Sequence, residues 1–205
     1  MEAVLFDVGG VLVQVSGVDT LREWMGGTPS DEEIWSLWLR SPAVRAFESG
    51  RIGDAAFAES LIAELRLPVG PRELLDKFAG WVPGLFPGAL ELVEDVVSGV
   101  RRGTLSNSNA LHWPRIMNEI GLGRWFDRHF VSHLTGRIKP DREAFEYAIG
   151  ELGCRPDAIV FVDDNQANVD AARRAGILAH RTRGALEARA VLRERGLLRE
   201  RIAGV

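Results

Sequence analysis

The chain has 205 residues, of which 46% are hydrophobic and 26% are charged, so it is long enough and apolar enough to bury a full hydrophobic core. A formal net charge of −4 without clustered cations argues against nucleic acid or an anionic membrane surface as a partner. The single cysteine, Cys154, excludes an intramolecular disulfide, and the sequence shows no signal peptide and no apolar run of membrane-spanning length, so we expect a cytoplasmic protein.

The first element is an apolar run at residues 3 to 8 that contains a single carboxylate and is followed by two glycines. Its composition predicts a buried strand, with Asp7 near its end and Gly9 and Gly10 directly after it. Asp and Gly are also ordinary turn residues, so Asp7 alone is explained equally well by a turn and by a catalytic role. The other elements decide between the two.

Residues 14 to 83 show almost no strand pattern and several helix starts. Ser41-Pro42 is typical of a helix N-terminus, and Phe57, Leu61 and Leu65 recur at four-residue spacing behind Asp54. We therefore predict a helical insertion, in which the tryptophans pack a small core of their own. The stretch from Trp81 to Gly88, rich in proline and glycine, is predicted to return the chain to the main domain.

After the insertion, apolar runs alternate with helical patterns to the end of the chain. Strands are predicted at residues 100 to 106, 126 to 131, 158 to 163 and 177 to 181, and helices at 88 to 98, 141 to 153, 166 to 175 and 184 to 195. This alternation indicates an α/β fold, with a parallel sheet flanked by helices on both faces. The predicted domains are a core at 1–13 and 84–205 and a helical domain at 14–83.

Polar residues follow two further strands and one loop. Ser106 and Asn107 end the second strand, where a hydroxyl and the amides of a following helix suit an anion, although plain N-capping explains them as well. Lys139, one of only two lysines among 25 basic residues, precedes a helix that starts near Pro140. In a parallel sheet the carboxyl ends of the strands border one crevice, so these residues can meet.

Asp163 and Asp164 end an almost uninterrupted apolar strand. Two neighbouring carboxylates repel each other unless a cation or a proton lies between them, so we infer a hard, oxygen-liganded cation such as Mg²⁺. Capping of the following helix by Asp164 or Asn165 is the competing explanation, and the two are compatible.

In order and spacing these elements resemble the haloacid dehalogenase superfamily, whose core is a Rossmann-like sheet. The helical insertion resembles that superfamily's C1-type cap. The similarity is greatest to the bacterial α-D-glucose-1-phosphate phosphatase group, and the strings that carry it are Phe6-Asp7-Val8-Gly9-Gly10-Val11, Leu105-Ser106-Asn107-Ser108-Asn109, Lys139-Pro140, Val162-Asp163-Asp164-Asn165 and Gly50-Arg51-Ile52-Gly53-Asp54-Ala55-Ala56-Phe57.

The resemblance implies a Mg²⁺-dependent phosphatase in which Asp7 attacks phosphorus and forms an aspartyl-phosphate that water hydrolyses. The implied metal ligands are Asp7, the Gly9 carbonyl and Asp164, with Asp163 bound directly or through water. The implied phosphate-binding residues are Ser106, Asn107, Lys139 and Gly10. The expected partner is a small phosphorylated metabolite such as glucose 1-phosphate, and the oligomeric state stays open.

Position 9 departs from the family pattern, because most phosphatases of the superfamily have a second Asp there as general acid and base. Gly9 cannot fill that role, and a general acid typically contributes about 10²- to 10⁴-fold to the rate. A sugar 1-phosphate, whose anomeric oxygen leaves easily, would need this group least. Glu48 in the insertion and His112 after the second strand are candidate replacements.

Two other functions remain open at this point. The 2-haloacid dehalogenases of the same superfamily also lack the second Asp and use their Asp nucleophile on carbon without a metal, but they have no use for two extra carboxylates such as Asp163 and Asp164. A phosphate-binding or regulatory protein with low turnover is the second alternative, and Gly9 is the feature that favours it.

Overall fold

A five-stranded parallel sheet forms the centre of the protein. The computed structural model describes residues 1 to 199, and the strand order is β3-β2-β1-β4-β5, which makes β1 the central strand. This confirms the predicted α/β architecture; residues 200 to 205 of the predicted core domain lie outside the described part. The strands are β1 (Ala3–Phe6), β2 (Arg101–Ser106), β3 (Arg128–Val131), β4 (Ile159–Asp163) and β5 (Leu178–Arg181).

The central strands are apolar throughout because both faces of the sheet are covered. Successive side chains point to opposite faces, so Val4 and Phe6 of β1 join one buried cluster while Ala3 and Leu5 join the other. Strand β4 divides its residues between the two clusters in the same way. This two-sided burial holds the ends of β1 and β4 rigidly side by side.

Five helices follow β1, as the helical pattern of residues 14 to 83 predicts. They are α1 (Gly17–Trp24), α2 (Asp31–Arg40), α3 (Pro42–Glu48), α4 (Asp54–Leu65) and α5 (Pro71–Ala79). Ser41 caps α3 as predicted, since its hydroxyl accepts the Val44 amide proton at 3.1 Å. These helices share a third buried cluster with Phe47, Phe57 and Phe78 at its centre.

The two chain segments that join these helices to the sheet lie side by side. The Gln14 backbone amide donates to the Gly84 carbonyl, and the Phe86 amide donates to the Leu12 carbonyl. Between them, Val13 forms an antiparallel bridge with Leu85. The stretch after Trp81 therefore returns the chain as predicted. The division into two domains at 14 and 83 stays a prediction.

The remaining helices lie on the two faces of the sheet, and among the described residues no helix is both long and apolar enough to cross a bilayer. Short 3₁₀ turns occupy Leu122–Trp125 and Pro156–Ala158. The helices are α6 (Ala89–Glu94), α7 (His112–Pro114, continued by a π-helical turn at Arg115–Glu119), α8 (Ser132–Thr135), α9 (Arg142–Leu152), α10 (Gln166–Arg174) and α11 (Gly184–Glu194).

Most predicted elements are one or two residues longer than the observed ones, and the structure gives the reason for two of the differences. The first strand ends at Phe6 rather than at residue 8, because the Asp7 carboxylate accepts the Val8 amide proton at 2.7 Å and the chain turns there. The helix predicted at 88 to 98 ends at Glu94, because Val96 bridges with Leu198 and Val97 donates to the Leu197 carbonyl. In the second case a tertiary contact overrides the local helical pattern.

Candidate active site

The predicted polar residues meet at the carboxyl edge of the sheet. Asp7 follows the central strand, Ser106 ends its neighbour on one side, and Asp163 ends its neighbour on the other. The parallel register pairs Phe6 with Val162, so Asp7 and Asp163 stand at the same level. The strand order thus brings together residues that are far apart in sequence.

Lys139 is buried between two of these carboxylates. Its Nζ atom lies 2.6 Å from Asp163 Oδ2 and 3.0 Å from Asp7 Oδ1, and only 1% of its side chain is exposed. Burial lowers the pKa of Lys139, but the charges of Asp163 and Asp7 outweigh that effect and raise it. The ammonium group therefore keeps its proton and acts as a fixed positive charge.

Asp7, Asp163 and Asp164 each offer a carboxylate oxygen within 4.8 Å of the other two. Burial raises the pKa of Asp7 well above its ordinary value; Lys139 opposes this, and the charges of Asp163 and Asp164 add to it. The pKa of Asp164 is also raised, by burial and then by Asp163. Three carboxylates against one ammonium leave an excess of negative charge, so this donor set fits a hard divalent cation.

Asp163 is occupied by hydrogen-bond donors on both oxygens. Besides Lys139, it accepts the Asn165 amide proton at 2.8 Å and the Asn168 side-chain amide at 3.1 Å to each oxygen. Asp164 is less buried, and Arg181 donates to its backbone carbonyl at 2.9 Å. The two adjacent acids therefore differ: Asp163 anchors Lys139, whereas the Asp164 side chain faces Gly10.

The two glycines after Asp7 occupy different environments. Gly10 has a positive φ of 76°, and a Cβ atom there would lie 2.4 Å from Asp164 Oδ2. A Cβ atom on Gly9 would meet only Val15 Cγ2 at 3.4 Å, which is an ordinary contact. Gly10 is therefore required by the approach of Asp164, whereas the missing side chain at position 9 is not imposed by space.

Ser106 and Asn107 lie beside this cluster, but the Asn107 side chain has a structural task. Its Oδ1 accepts the Lys139 amide proton at 2.8 Å, and its Nδ2 donates to the Lys139 carbonyl at 2.9 Å. Asn107 thus clamps the backbone that carries the lysine. The Ser106 hydroxyl is buried and donates to the Asn107 carbonyl at 3.3 Å.

The two candidate replacements for the missing acid are placed very differently. His112 is locked by structural contacts: Nε2 lies 2.7 Å from the Phe78 carbonyl and Nδ1 lies 3.3 Å from the Asn109 side-chain amide. Burial also lowers the pKa of His112. Glu48 ends α3, close enough to Lys139 for the ammonium charge to lower its pKa.

Asn168 is a site residue that the sequence analysis did not identify. It lies on α10, is buried, and donates to both oxygens of Asp163. A detectable signal exists, because an amide side chain directly before Val169 stands on the otherwise apolar, sheet-facing side of this helix. A polar residue on such a face needs a polar partner.

A family model described as haloacid dehalogenase-like hydrolase matches residues 1–176. Phosphoglycolate phosphatase 1 of Pseudomonas aeruginosa is 25% identical over 183 residues, which is 85% of this chain and 66% of that protein. The chain thus spans slightly less than two thirds of this relative's length. A phosphatase of Mycobacterium tuberculosis is 29% identical over 191 residues, covering 88% of this chain and 86% of that protein.

Three solved structures share the fold. A HAD-like family hydrolase from Porphyromonas gingivalis superposes with a TM-score of 0.75 at 23% identity, covering 98% of this chain and 99% of that one. A HAD family enzyme from Bacteroides thetaiotaomicron, solved with magnesium and inorganic phosphate, superposes with a TM-score of 0.71 at 18% identity, covering 89% of this chain and 94% of that one. L-2-haloacid dehalogenase from Xanthobacter autotrophicus superposes with a TM-score of 0.65 at 22% identity, covering 89% of this chain and 77% of that one.

Proposed function

The chain belongs to the haloacid dehalogenase-like hydrolases, and we propose that it hydrolyses phosphomonoesters of small phosphorylated metabolites, with Asp7 as the nucleophile. One observation carries this proposal: Asp7, Lys139 and Asp163 form a buried cluster at the carboxyl edge of the sheet, which the partly buried Asp164 completes. An Asp7 oxygen attacks phosphorus while the bond to the leaving oxygen breaks, and water then hydrolyses the aspartyl-phosphate.

Mg²⁺ is the cation that we propose for this cluster, held by Asp7, the Gly9 carbonyl and Asp164, with Asp163 direct or through water. When bound, it supplies positive charge that offsets the carboxylates and the substrate phosphate. Without such charge, two like charges about 4 Å apart repel by roughly 4 kcal/mol at an effective dielectric of 20. The relative from Bacteroides thetaiotaomicron, solved with magnesium and phosphate, supports this assignment.

Lys139, Ser106 and the backbone amide of Asn107 are the proposed phosphate-binding groups. The Gly10 amide, which the sequence also suggested, instead donates to the Val13 carbonyl at 2.9 Å. Lys139 contributes charge, and its position between Asp7 and Asp163 keeps that charge beside the attacking oxygen. The helices of residues 14 to 83 are the proposed cap, which covers the bound substrate and selects it. Their separate hydrophobic cluster and the paired joining segments support this assignment.

For the substrate we propose a sugar phosphate such as glucose 1-phosphate. The support is the resemblance of the motif strings together with Gly9, because an anomeric oxygen leaves more easily than a simple alkoxide and depends less on a proton donor beside the nucleophile. Curated relatives are named phosphoglycolate phosphatase, so phosphoglycolate belongs in the same comparison.

A magnesium-containing phosphate-release assay on glucose 1-phosphate, glucose 6-phosphate, phosphoglycolate and 4-nitrophenyl phosphate tests the proposal. Asp7→Asn should abolish release, and the exposed Asp76→Asn serves as the matched control, which should keep wild-type rates. Phosphate release that survives EDTA would contradict the Mg²⁺ assignment, and halide release from a 2-haloacid would instead identify a metal-independent dehalogenase. Preference for glucose 6-phosphate over glucose 1-phosphate would refute the leaving-group argument.

A further inference from the structure

The cluster at the sheet edge lacks a group that can give a proton to the leaving oxygen. Lys139 holds its proton because Asp163 and Asp7 raise its pKa. Asp163 accepts hydrogen bonds on both oxygens, Asp164 is a proposed metal ligand, and Asp7 is the proposed nucleophile. An alkoxide leaving group requires a proton as the bond to phosphorus breaks. The donor must therefore come from another part of the molecule.

The end of helix α3 docks beside this cluster. Gly50 packs so closely on the core that a Cβ atom there would lie 2.4 Å from the His133 carbonyl oxygen. Arg45 on the same helix forms an ion pair with Asp141, two residues after Lys139. These two contacts fix Glu48, which lies between Arg45 and Gly50 in the chain, against the segment that carries the lysine.

The Glu48 carboxyl group has the properties of a proton shuttle. Burial raises its pKa to about 7, although the Lys139 charge and a hydrogen bond from the Trp38 side chain lower it. A carboxyl group with such a pKa is about half protonated at neutral pH, so it can both give and accept a proton. Indole nitrogen is a donor only, so Trp38 leaves the carboxyl proton itself available.

The other titratable groups around Glu48 do not compete for this task. His133 of α8 has a pKa lowered by burial, and its Nδ1 is buried without a hydrogen-bond partner. Arg45 and Asp141 neutralise each other. Lys139 therefore remains as the charge that Glu48 experiences most directly.

We propose that Glu48 is the general acid and base of this site, supplied by the helical insertion in place of a side chain at position 9. This rests on the phosphatase function proposed above. When Asp7 attacks phosphorus, the proton of Glu48 moves to the leaving oxygen and the alcohol departs. The Glu48 carboxylate then takes a proton from the water that attacks the aspartyl-phosphate, and phosphate, free Asp7 and protonated Glu48 result.

The test compares Glu48→Gln with wild type on esters with poor and good leaving groups. With glucose 6-phosphate, we expect kcat to fall by about 10²- to 10⁴-fold. With 4-nitrophenyl phosphate, whose leaving group needs no proton, we expect a rapid burst of nitrophenolate followed by slow turnover, because only the water step lacks its base. Glu59→Gln, on the exposed side of α4, is the matched control and should behave as wild type.

The pH profile gives a second readout that a purely structural role would not produce. For wild type on glucose 6-phosphate, kcat/KM should fall as pH rises above about 7, because Glu48 loses the proton that it must donate. Glu48→Gln should lack this decline. Gly9→Asp added to Glu48→Gln should restore much of the activity, since a Cβ atom at position 9 makes only an ordinary contact with Val15.

The results separate this proposal from the proposed function. If wild type releases no phosphate from any ester, the phosphatase function itself is refuted. If wild type is active and Glu48→Gln retains its glucose 6-phosphate rate and pH profile, the role of Glu48 is refuted while the function stands. A rise in KM for all substrates with kcat unchanged would identify Glu48 as a substrate-binding residue and would equally overturn the proposal.

Discussion

Replacing Gly10 and Gly9 separately by alanine tests the geometry of the candidate metal site without measuring catalysis. Alanine at the left-handed φ of 76° at Gly10 costs about 1–2 kcal/mol of folding free energy. The new Cβ atom would also stand 2.4 Å from Asp164 Oδ2, about 1 Å closer than ordinary van der Waals contact. An aspartate side chain can rotate away, so the clash displaces the carboxylate rather than unfolding the protein.

Gly9→Ala is the matched control, because the same atom is added one residue earlier. Its Cβ atom meets Val15 Cγ2 at 3.4 Å, and its φ lies outside the left-handed region. Loss of glycine's freedom in the unfolded chain then stabilises the variant by about 0.4–1 kcal/mol. The two variants should differ by about 2 kcal/mol, or about 4–8 °C in Tm for a chain of this size.

Thermal unfolding of the metal-free proteins measures the difference in stability, and calorimetric titration with Mg²⁺ measures the effect of the displaced Asp164 carboxylate on metal affinity. Removal of an outer-shell partner typically weakens metal binding by about 10- to 100-fold, and we expect Gly10→Ala to lose at least that much Mg²⁺ affinity. Equal Tm values and equal Mg²⁺ affinities for the two alanine variants would refute the argument that Asp164 needs a glycine at position 10.

Three further predictions concern the buried ionisable groups. Lys139→Met leaves Asp163 without its charge partner, so urea unfolding at pH 7 should show a loss of about 3–5 kcal/mol, and adding Asp163→Asn should recover about half of it. The pKa of Glu48 is about 7 against an ordinary 4.5, so the folded state keeps the Glu48 proton to higher pH than the unfolded state. The free energy of unfolding of the wild type should therefore fall by about 2 kcal/mol as pH rises from 5 to 8. The urea midpoint of Glu48→Gln should change less over the same range. His112→Ala removes one of the donors to the Phe78 carbonyl, which keeps the Trp81 amide, and should cost about 0.5–1.5 kcal/mol in urea unfolding, with the leaving-group dependence of phosphate release unchanged.

The sheet was predictable because its strands are buried on both faces and therefore appear in the sequence as continuous apolar runs. The meeting of Asp7, Lys139 and Asp163 was also predictable, since parallel strands place their carboxyl ends at one edge. The end of α6 was not, because the segment after Glu94 pairs with residues 197 and 198, far away in sequence. Local patterns contain no information about such a partner.

The functions of individual amides were the least predictable part of the site. The backbone amide of Asn107 stays a predicted phosphate donor, but the sequence did not indicate that its side chain holds both backbone groups of Lys139. Asn168 was missed although it donates to both oxygens of Asp163. In each case the amide side chain predicts that a hydrogen bond forms, but its partner lies on another element and is determined by tertiary packing alone.

On the proposed mechanism the two parts of the chain divide the chemistry between them. The sheet edge holds the nucleophile and its fixed positive charge in a buried, rigid cluster. The proton comes from Glu48 on α3, whose placement depends on the Arg45–Asp141 ion pair and on the contact of Gly50 with the His133 carbonyl. Proton transfer then requires the helices to be docked, whereas attack by Asp7 does not. Docking is thereby coupled to turnover of esters with poor leaving groups, and the absence of a side chain at Gly9 is what makes that coupling necessary.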